Sequence, residues 1–268
     1  MSARSDPPDP KDLTGQLAQL QCQLEASRAE LQEFTYVVSH DLRAPLRHIH
    51  AYAQIIEEDW PELPAELANH LSTIRQSAHL LSCQLDGLAQ LSRLGAQTLD
   101  LQPVQIYPLA REVADELMEQ HPQAQVAWQL ADDVPPVLAD PCLLRQLLLQ
   151  LLGNALKFSR DQTPAQISLD WQHGPTLSGD VASGQPDSGP SICLTLRDNG
   201  VGFRPDQAQA LFKVFGKLHP SSEFAGLGLG LLQCHRIVER LGGSIQITAE
   251  LDRGCAVTVC LPAASDHS

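Results

Sequence analysis

The sequence contains few aromatic residues, few lysines and no long apolar run, and each shortage excludes a class of protein. Aromatic residues make up only 4% of the 268 residues, yet the hydrophobic fraction of 43% suffices for a buried core. No apolar stretch approaches the roughly 20 residues of a membrane-spanning helix. The start, MSARSDPPDP, does not have the pattern of a signal peptide. We therefore expect a cytoplasmic protein without membrane insertion.

Basic residues are scarce and unevenly placed. The formal net charge is −14, and so acidic a surface repels nucleic acid and anionic lipid, which argues against both as partners. Only four lysines occur, and Lys157, Lys213 and Lys217 lie in or beside the candidate ligand-binding motifs described below. This placement suits a site for a polyanionic ligand within an otherwise acidic protein.

The seven cysteines are odd in number, scattered and without a Cys-x-x-Cys pair. They are Cys22, Cys83, Cys142, Cys193, Cys234, Cys255 and Cys260. Neither disulfides nor zinc is indicated by this pattern, and we expect reduced thiols.

The first hundred residues have the apolar periodicity of helices. Residues 1–10 are rich in proline and aspartate and should be disordered. From Leu13 to Val38 apolar residues recur in alternating steps of four and three, a seam broken only at Ser27, which predicts a coiled coil. The periodicity continues beyond this seam, so one helix should extend from about Lys11 to Asp59.

A second helix should follow the interruption WPELP (60–64). It carries apolar residues at helical spacing from Leu67 to Leu88 and should end at Gly95. Two antiparallel helices cannot enclose a core by themselves, and a symmetric dimer forming a four-helix bundle is the simplest arrangement. On periodicity alone, the favoured interpretation of this half is a coiled-coil dimeriser without chemistry.

After residue 100 the pattern changes to short strands that alternate with helices. Strands are predicted at 165–171, 192–197, 244–250 and 255–261, and helices near 108–120, 141–158 and 228–241. The stretch 173–190 is rich in Gly, Ser, Pro and Asp, which is typical of a flexible loop between two strands. We expect an α+β protein in which a helical hairpin precedes a two-layer α/β sandwich.

The leucine-rich helix RQLLLQLLGNALKF (145–158) carries one polar stripe. Gln146, Gln150, Asn154 and Lys157 follow one another in steps of four, four and three, and therefore share a face. Burying such a stripe without partners is costly, so it faces solvent, a subunit or a ligand.

Two glycine-containing motifs follow, DNGVGF (198–203) and GLGLGL (226–231). Taken alone, Asp-Asn-Gly is an ordinary turn signal. As part of a nucleotide site, Asp198 would accept a hydrogen bond from an adenine amino group, while Gly200 and Gly202 would let the backbone approach the ring. Glycines at the start of the helix near 228–241 would expose N–H groups at its positive end, which suits phosphate.

The residues between these motifs have the length of a lid. They include LFKVFGKLHP (211–220), and we expect Phe212 and Phe215 to anchor the segment while Lys217 reaches the terminal phosphate. Lys213 is better interpreted as a solvated surface charge.

Together with SHDLRAPL (39–46), these motifs resemble the sensor histidine kinases of bacterial two-component systems, from about residue 30 to residue 262. SHDLRAPL is similar to that family's phosphoacceptor box and QLLGNALKF (150–158) to its asparagine box. DNGVGF and GLGLGL are similar to the two glycine boxes, and LFKVF (211–215) to the phenylalanine box. The run from 211 to 231 resembles the phytochrome-like subset most.

The resemblance implies the organisation of the chain. A coiled-coil signalling helix would span residues 11–33, and a dimerisation and histidine phosphotransfer domain 34–97. A Bergerat-type ATP-binding catalytic domain would span 100–263, with the lid at 203–226.

The resemblance also implies residue roles. It assigns Mg²⁺ coordination to Asn154 and adenine recognition to Asp198, and it places the phosphates of ATP against Lys157, Gly226, Gly228 and Gly230. Gln150 stands where the family commonly has a second asparagine, and it keeps an amide carbonyl that could still serve the metal. Leu227 replaces a frequent threonine, which would remove one phosphate hydrogen bond.

His40 would be the phosphoacceptor. It lies two residues from Val38, about 200° around the helix, and so points away from the apolar seam. At neutral pH an imidazole with a pKa of about 6.5 is mostly unprotonated and can attack phosphorus. Pro45 should bend the helix beside it. The family assigns Asp41 as the acidic neighbour that orients and deprotonates the ring.

We therefore expect a homodimeric kinase that phosphorylates His40 from Mg-ATP and transfers the phosphoryl group to an aspartate of a response regulator. Its input would come from an upstream sensor domain or protein through the coiled coil. A gyrase-like or mismatch-repair ATPase is a competing interpretation, although such enzymes lack a phosphoacceptor hairpin. A catalytically weak dimeric scaffold or nucleotide-sensing adaptor is the other alternative.

Overall fold

The computed structural model describes residues 10–60, 62–96, 98–177, 189–216, 218, 224 and 226–264. The chain divides into two compact units, Met1–Gln97 and Thr98–Ser268. Among the described helices, none is both long enough and apolar enough to cross a membrane.

The first unit is an antiparallel pair of long helices. Helix α1 spans Pro10–Asp59 and helix α2 spans Ala65–Ala96, and α1 continues through Pro45 without interruption. The sequence predicted these two helices and the break between them. We expected residues 1–10 to be disordered. Of these, residues 1–9 lie outside the described part of the chain.

Ion pairs and small side chains hold the two helices together. Arg43 of α1 donates two hydrogen bonds to Asp86 of α2, at 3.1 and 2.6 Å, and Arg75 pairs with Glu57. Alanines at 53, 78 and 89 are buried between the helices. In contrast, a single hairpin leaves many large apolar side chains exposed, among them Leu31, Phe34, Tyr52 and Ile74.

The second unit is a two-layer sandwich of helices on a mixed sheet. Its elements are β1 Gln102–Val104, α3 Ile106–Gln120, β2 Val126–Leu130, β3 Val137–Ala139, α4 Pro141–Phe158, β4 Ala165–Leu177, β5 Gly189–Asp198, a 3₁₀ helix Pro205–Phe212, α5 Gly230–Arg240, β6 Ser244–Glu250 and β7 Gly254–Pro262. The main sheet has the order β2-β4-β5-β7-β6, in which only β2 and β4 are parallel; β1 and β3 form a separate antiparallel pair. The expected α+β class is confirmed.

Helix α4 is the central element of the helical layer. Asp140 caps its start, because its Oδ1 accepts the N–H groups of Cys142 and Leu143 at 2.9 and 3.1 Å, and Pro141 occupies the first turn. Its leucines pack against the apolar face of β4, β5 and β7. This burial leaves the polar stripe of α4 facing away from the sheet's centre.

Two sequence expectations differ from the structure. Strand β4 runs on to Leu177 and β5 begins at Gly189, so the predicted loop 173–190 is shortened at both ends, and residues 178–188 lie outside the described part. Cys193 and Cys260 form a disulfide, contrary to the expectation of reduced thiols. The physical reason is register: they face each other on antiparallel β5 and β7, with Cα atoms 3.9 Å apart.

Candidate functional site

A cavity of about 200 Å³ opens in the second unit where α4, the start of α5 and the ends of β5 and β7 meet. Eight of the residues predicted from the sequence line it. They are Gln150, Asn154, Lys157, Asp198, Gly202, Gly226, Gly228 and Gly230. Gly200 is not among the lining residues, and Lys217 lies outside the described residues.

Asp198 ends strand β5 at the floor of the cavity. Its Oδ1 accepts two backbone N–H groups, from Gly200 at 2.9 Å and from Cys255 at 3.2 Å. Burial raises the pKa of Asp198 above its usual value, and the two hydrogen bonds oppose this shift only in part. Because both bonds end on Oδ1, Oδ2 is the oxygen that a donor group of a ligand could contact.

The polar stripe of α4 faces this cavity. Gln150, Asn154 and Lys157 line it, whereas Gln146, one turn earlier, does not. Gln150 and Asn154 both approach the start of α5: a Cβ built on Gly230 would lie 2.8 Å from Gln150 Oε1 and 3.7 Å from Asn154 Nδ2. The sequence left open whether the stripe faces solvent, a subunit or a ligand. In the structure the stripe faces a cavity that a ligand could occupy.

The glycines of GLGLGL permit close approaches that other residues would prevent. Gly228 has a positive φ of 72°, and a Cβ there would lie 2.7 Å from the carbonyl oxygen of Gly216. A Cβ on Gly226 would lie 3.4 Å from Lys157 Nζ. The segment from Gly226 to Gly230, here called the glycine loop, thus lies against both the amides and the lysine of α4.

Aromatic residues that sequence reasoning did not assign also line the cavity. They are Phe158, Phe203 and Phe224. Phe212 instead contacts His235 of α5, with ring centroids 5.4 Å apart, and Phe215 is exposed. Phe212 therefore fits the expected anchoring role. Phe215 does not, and Phe224 fits that role in its place. The only sequence signal was the position of Phe224 two residues before the glycine loop.

Cys255 lines the cavity but is not a reactive thiol. Burial, and secondarily the nearby charge of Asp198, raises the pKa of its thiol to about 12. At neutral pH the group is therefore protonated. Its contribution to the site is its backbone N–H, which holds Asp198.

His40 and Asp41 belong to the first unit, on helix α1. The side chain of His40 is 68% exposed and that of Asp41 is 73% exposed. His40 Nδ1 lies 3.3 Å from Asp41 Oδ1. Adjacent residues of a helix do not normally face each other, so helical spacing alone could not predict this contact. It leaves the outer nitrogen, Nε2, available for chemistry.

Two family models match the chain. The one described as "His Kinase A (phospho-acceptor) domain" matches residues 30–97, and the one described as "Histidine kinase-, DNA gyrase B-, and HSP90-like ATPase" matches residues 139–265. The matched ranges contain His40 and the glycine loop respectively.

In the described part of the chain, no group of three or more His, Cys, Asp or Glu side chains could hold a metal ion.

Individual proteins show the same likeness over most of the chain. Cyanobacterial phytochrome B of Nostoc sp. is 30% identical over 89% of this chain, and the methanogenesis regulatory histidine kinase FilI of Methanothrix harundinacea is 29% identical over 92%. The chain spans only 30% and 26% of the length of these two relatives. The crystal structure of full-length ShkA in complex with AMPPNP matches 88% of this chain and 47% of its own, with 29% identity and a TM-score of 0.58.

Proposed function

The chain belongs to the sensor histidine kinases, as the transmitter region that joins a phospho-acceptor domain to an ATPase domain, and from this we propose how it works. It binds Mg-ATP in the cavity of the second unit and transfers the γ-phosphoryl group to His40. The phosphoryl group then passes to an aspartate of a response regulator. The observation that carries the proposal is the convergence of Asn154, Asp198 and the glycine loop on one cavity.

In the proposed complex the adenine ring lies at the Asp198 end of the cavity. Its amino group donates a hydrogen bond to Oδ2, and the apolar side chains of Ile247 and Val257 contact the ring. The phosphates lie along the glycine loop, at the N-terminus of α5, where backbone N–H groups and the helix dipole favour anions. Lys157 adds positive charge at the same place.

The amides of Gln150 and Asn154 fit a magnesium ion. Mg²⁺ prefers oxygen ligands, and it commonly takes only one or two from the protein because phosphates and water supply the rest. Asn154 would hold the ion and the Gln150 carbonyl would assist. The bound ion would neutralise charge on the phosphates of ATP. The structure brings these two amides to the glycine loop, which is where the phosphates are proposed to lie.

His40 supplies the nucleophile. The Nδ1 hydrogen bond to Asp41 favours the tautomer with the proton on Nδ1, which leaves the lone pair on Nε2. This lone pair attacks the γ-phosphorus, so that an N–P bond forms while the bond between that phosphorus and the bridging oxygen breaks and ADP leaves. Asp41 takes the proton from Nδ1, so that the phosphorylated ring is neutral. Transfer of this kind depends on positioning and charge neutralisation.

Partners follow from the apolar surface of the helical hairpin and from the relatives' greater length. The exposed leucines and aromatic residues of α1 and α2 suit a homodimer that forms a four-helix bundle. An upstream sensor domain or protein would act on α1, and a receiver domain would approach His40.

A catalytically weak scaffold or nucleotide-sensing adaptor is the second candidate. The observation in its favour is that Leu227, which replaces a frequent threonine of the resembling family, lines the cavity, and that Gln150 replaces an asparagine. Such a protein would bind ATP and remain unphosphorylated.

ATP labelled at the γ-phosphate tests the proposal. We expect label on the protein that is labile in acid and stable in alkali, and its complete loss in His40→Gln. His48→Gln, at another exposed position of α1, is the matched control and should label normally. Binding of ATP without labelling would favour the scaffold, and undiminished labelling of His40→Gln would refute the assignment of the phosphoacceptor.

A further inference from the structure

The C-terminal end of α4 forms a continuous stack with one phenylalanine from the lid. The ring centroids of Phe158 and Phe224 are 5.0 Å apart at an interplanar angle of 52°. The guanidinium carbon of Arg160 lies 4.6 Å from the centroid of Phe224, and Lys157 Nζ lies 4.2 Å from that of Phe158. Phe224 is only 6% exposed. We call Phe158, Phe224 and Arg160 the aromatic clasp.

The clasp is directly connected to the glycine loop. Phe224 precedes Gly226 by two residues, and Gly226 is the glycine that lies against Lys157 Nζ. The last turn of α4 therefore approaches Phe224 through Phe158 and Gly226 through Lys157. Contacts at 224 and at 226 together fix where the loop begins relative to α4.

We propose that Phe224 is a positioning residue for the triphosphate. Its contacts with Phe158 and Arg160 fix the start of the glycine loop against α4, so that the loop N–H groups and Lys157 face the same phosphates. This inference rests on the proposed ATP site. It differs from a general packing role, because it concerns the phosphate end of the cavity and leaves the adenine end, at Asp198, unaffected.

An aromatic pair and a cation–aromatic contact are each modest in energy, and losing both should weaken ATP binding roughly tenfold. Phe224→Ala removes both contacts. Phe224→Leu keeps an apolar side chain of similar size but removes the ring, and should behave like the alanine variant. Phe224→Tyr keeps the ring and should bind ATP within about twofold of wild type.

The experiment measures the affinities of ATP and adenosine by competition against a fluorescent ATP analogue, with the full chain. We expect Phe224→Ala and Phe224→Leu to lose affinity for ATP and to keep affinity for adenosine. Val214→Ala removes an apolar side chain that is 52% exposed in the same segment and should change neither.

Three results would overturn the inference. Equal losses for ATP and adenosine would mean that Phe224 supports the whole cavity rather than the loop. Wild-type affinity in Phe224→Leu would mean that any apolar side chain suffices, and this comparison remains informative if the alanine variant does not fold. Failure of the wild type itself to bind ATP would refute the proposed function and the clasp with it.

Discussion

The replacement of Asp198 by asparagine is the sharpest test of the adenine site. The two side chains have nearly the same shape, so the substitution changes charge and hydrogen bonding while it conserves volume. The N–H groups of Gly200 and Cys255 both point at Oδ1. Both groups are donors and need an oxygen acceptor there, so the NH2 group of the new amide is forced into the position of Oδ2.

The expected effect is loss of ATP affinity without loss of stability. The amide would present its own N–H donors to the adenine amino group, so that two donors meet and the ligand's hydrogen bond is lost. A hydrogen bond to a charged group contributes about 1.5–3 kcal/mol, which corresponds to roughly 10- to 150-fold in affinity. Burial disfavours the charged carboxylate of Asp198, so the neutral amide should leave the melting temperature of the unliganded protein unchanged or raised.

Isothermal titration calorimetry with ATP, together with thermal melting of the unliganded protein, measures both quantities. Asp170→Asn, at an exposed aspartate on β4 that does not line the cavity, is the control and should behave as wild type. Wild-type affinity in Asp198→Asn would refute the assignment of the adenine site. A large fall in melting temperature would show instead that the carboxylate of Asp198 stabilises the folded protein.

Three further outcomes follow from the same structure. Because the pKa of Asp198 is raised, its carboxylate protonates at higher pH than an ordinary aspartate; ATP affinity should therefore weaken as pH falls through that raised pKa, and titrations at several pH values would show this. Gly230→Ala should lower ATP affinity because its Cβ would lie 2.8 Å from Gln150 Oε1, while alanine, the better helix former, should keep α5 intact in circular dichroism spectra. Thiol titration of protein denatured without reductant should count five free cysteines, and seven would refute the pairing of Cys193 with Cys260.

Much of the fold could be predicted because its longer elements repeat a pattern many times. Helices α1, α2 and α4 carry apolar residues at helical spacing over several turns, and β6 alternates exposed and half-buried residues along its whole length. Strands β1, β2 and β3 were missed because three to five residues are too few to show a period. The end of β4 and the beginning of β5 were missed because the residues there have the composition of a turn.

The residues of the candidate site could be predicted where they belong to short sequence motifs. They could not be predicted where their role depends on tertiary packing. Asn154, Asp198 and the glycines stand in recognisable spacings, whereas Phe224 is a single aromatic residue in a segment without periodicity. The Cys193–Cys260 disulfide joins residues 67 positions apart, so only the register of β5 and β7 could reveal it. Lys217, outside the described residues, stays a prediction.

The length of α1 gives the first unit a mechanical property. Its 50 residues extend about 75 Å, and His40 lies about 45 Å along it from Pro10. Between Pro10 and His40 no proline interrupts the backbone hydrogen bonding, so a rotation near the beginning of α1 is passed along the helix to the imidazole. A rotation of α1 by the helical twist of one residue, about 100°, would swing that imidazole around the helix axis by the same angle. Rotation of α1 at its beginning would therefore change the direction in which Nε2 of His40 points.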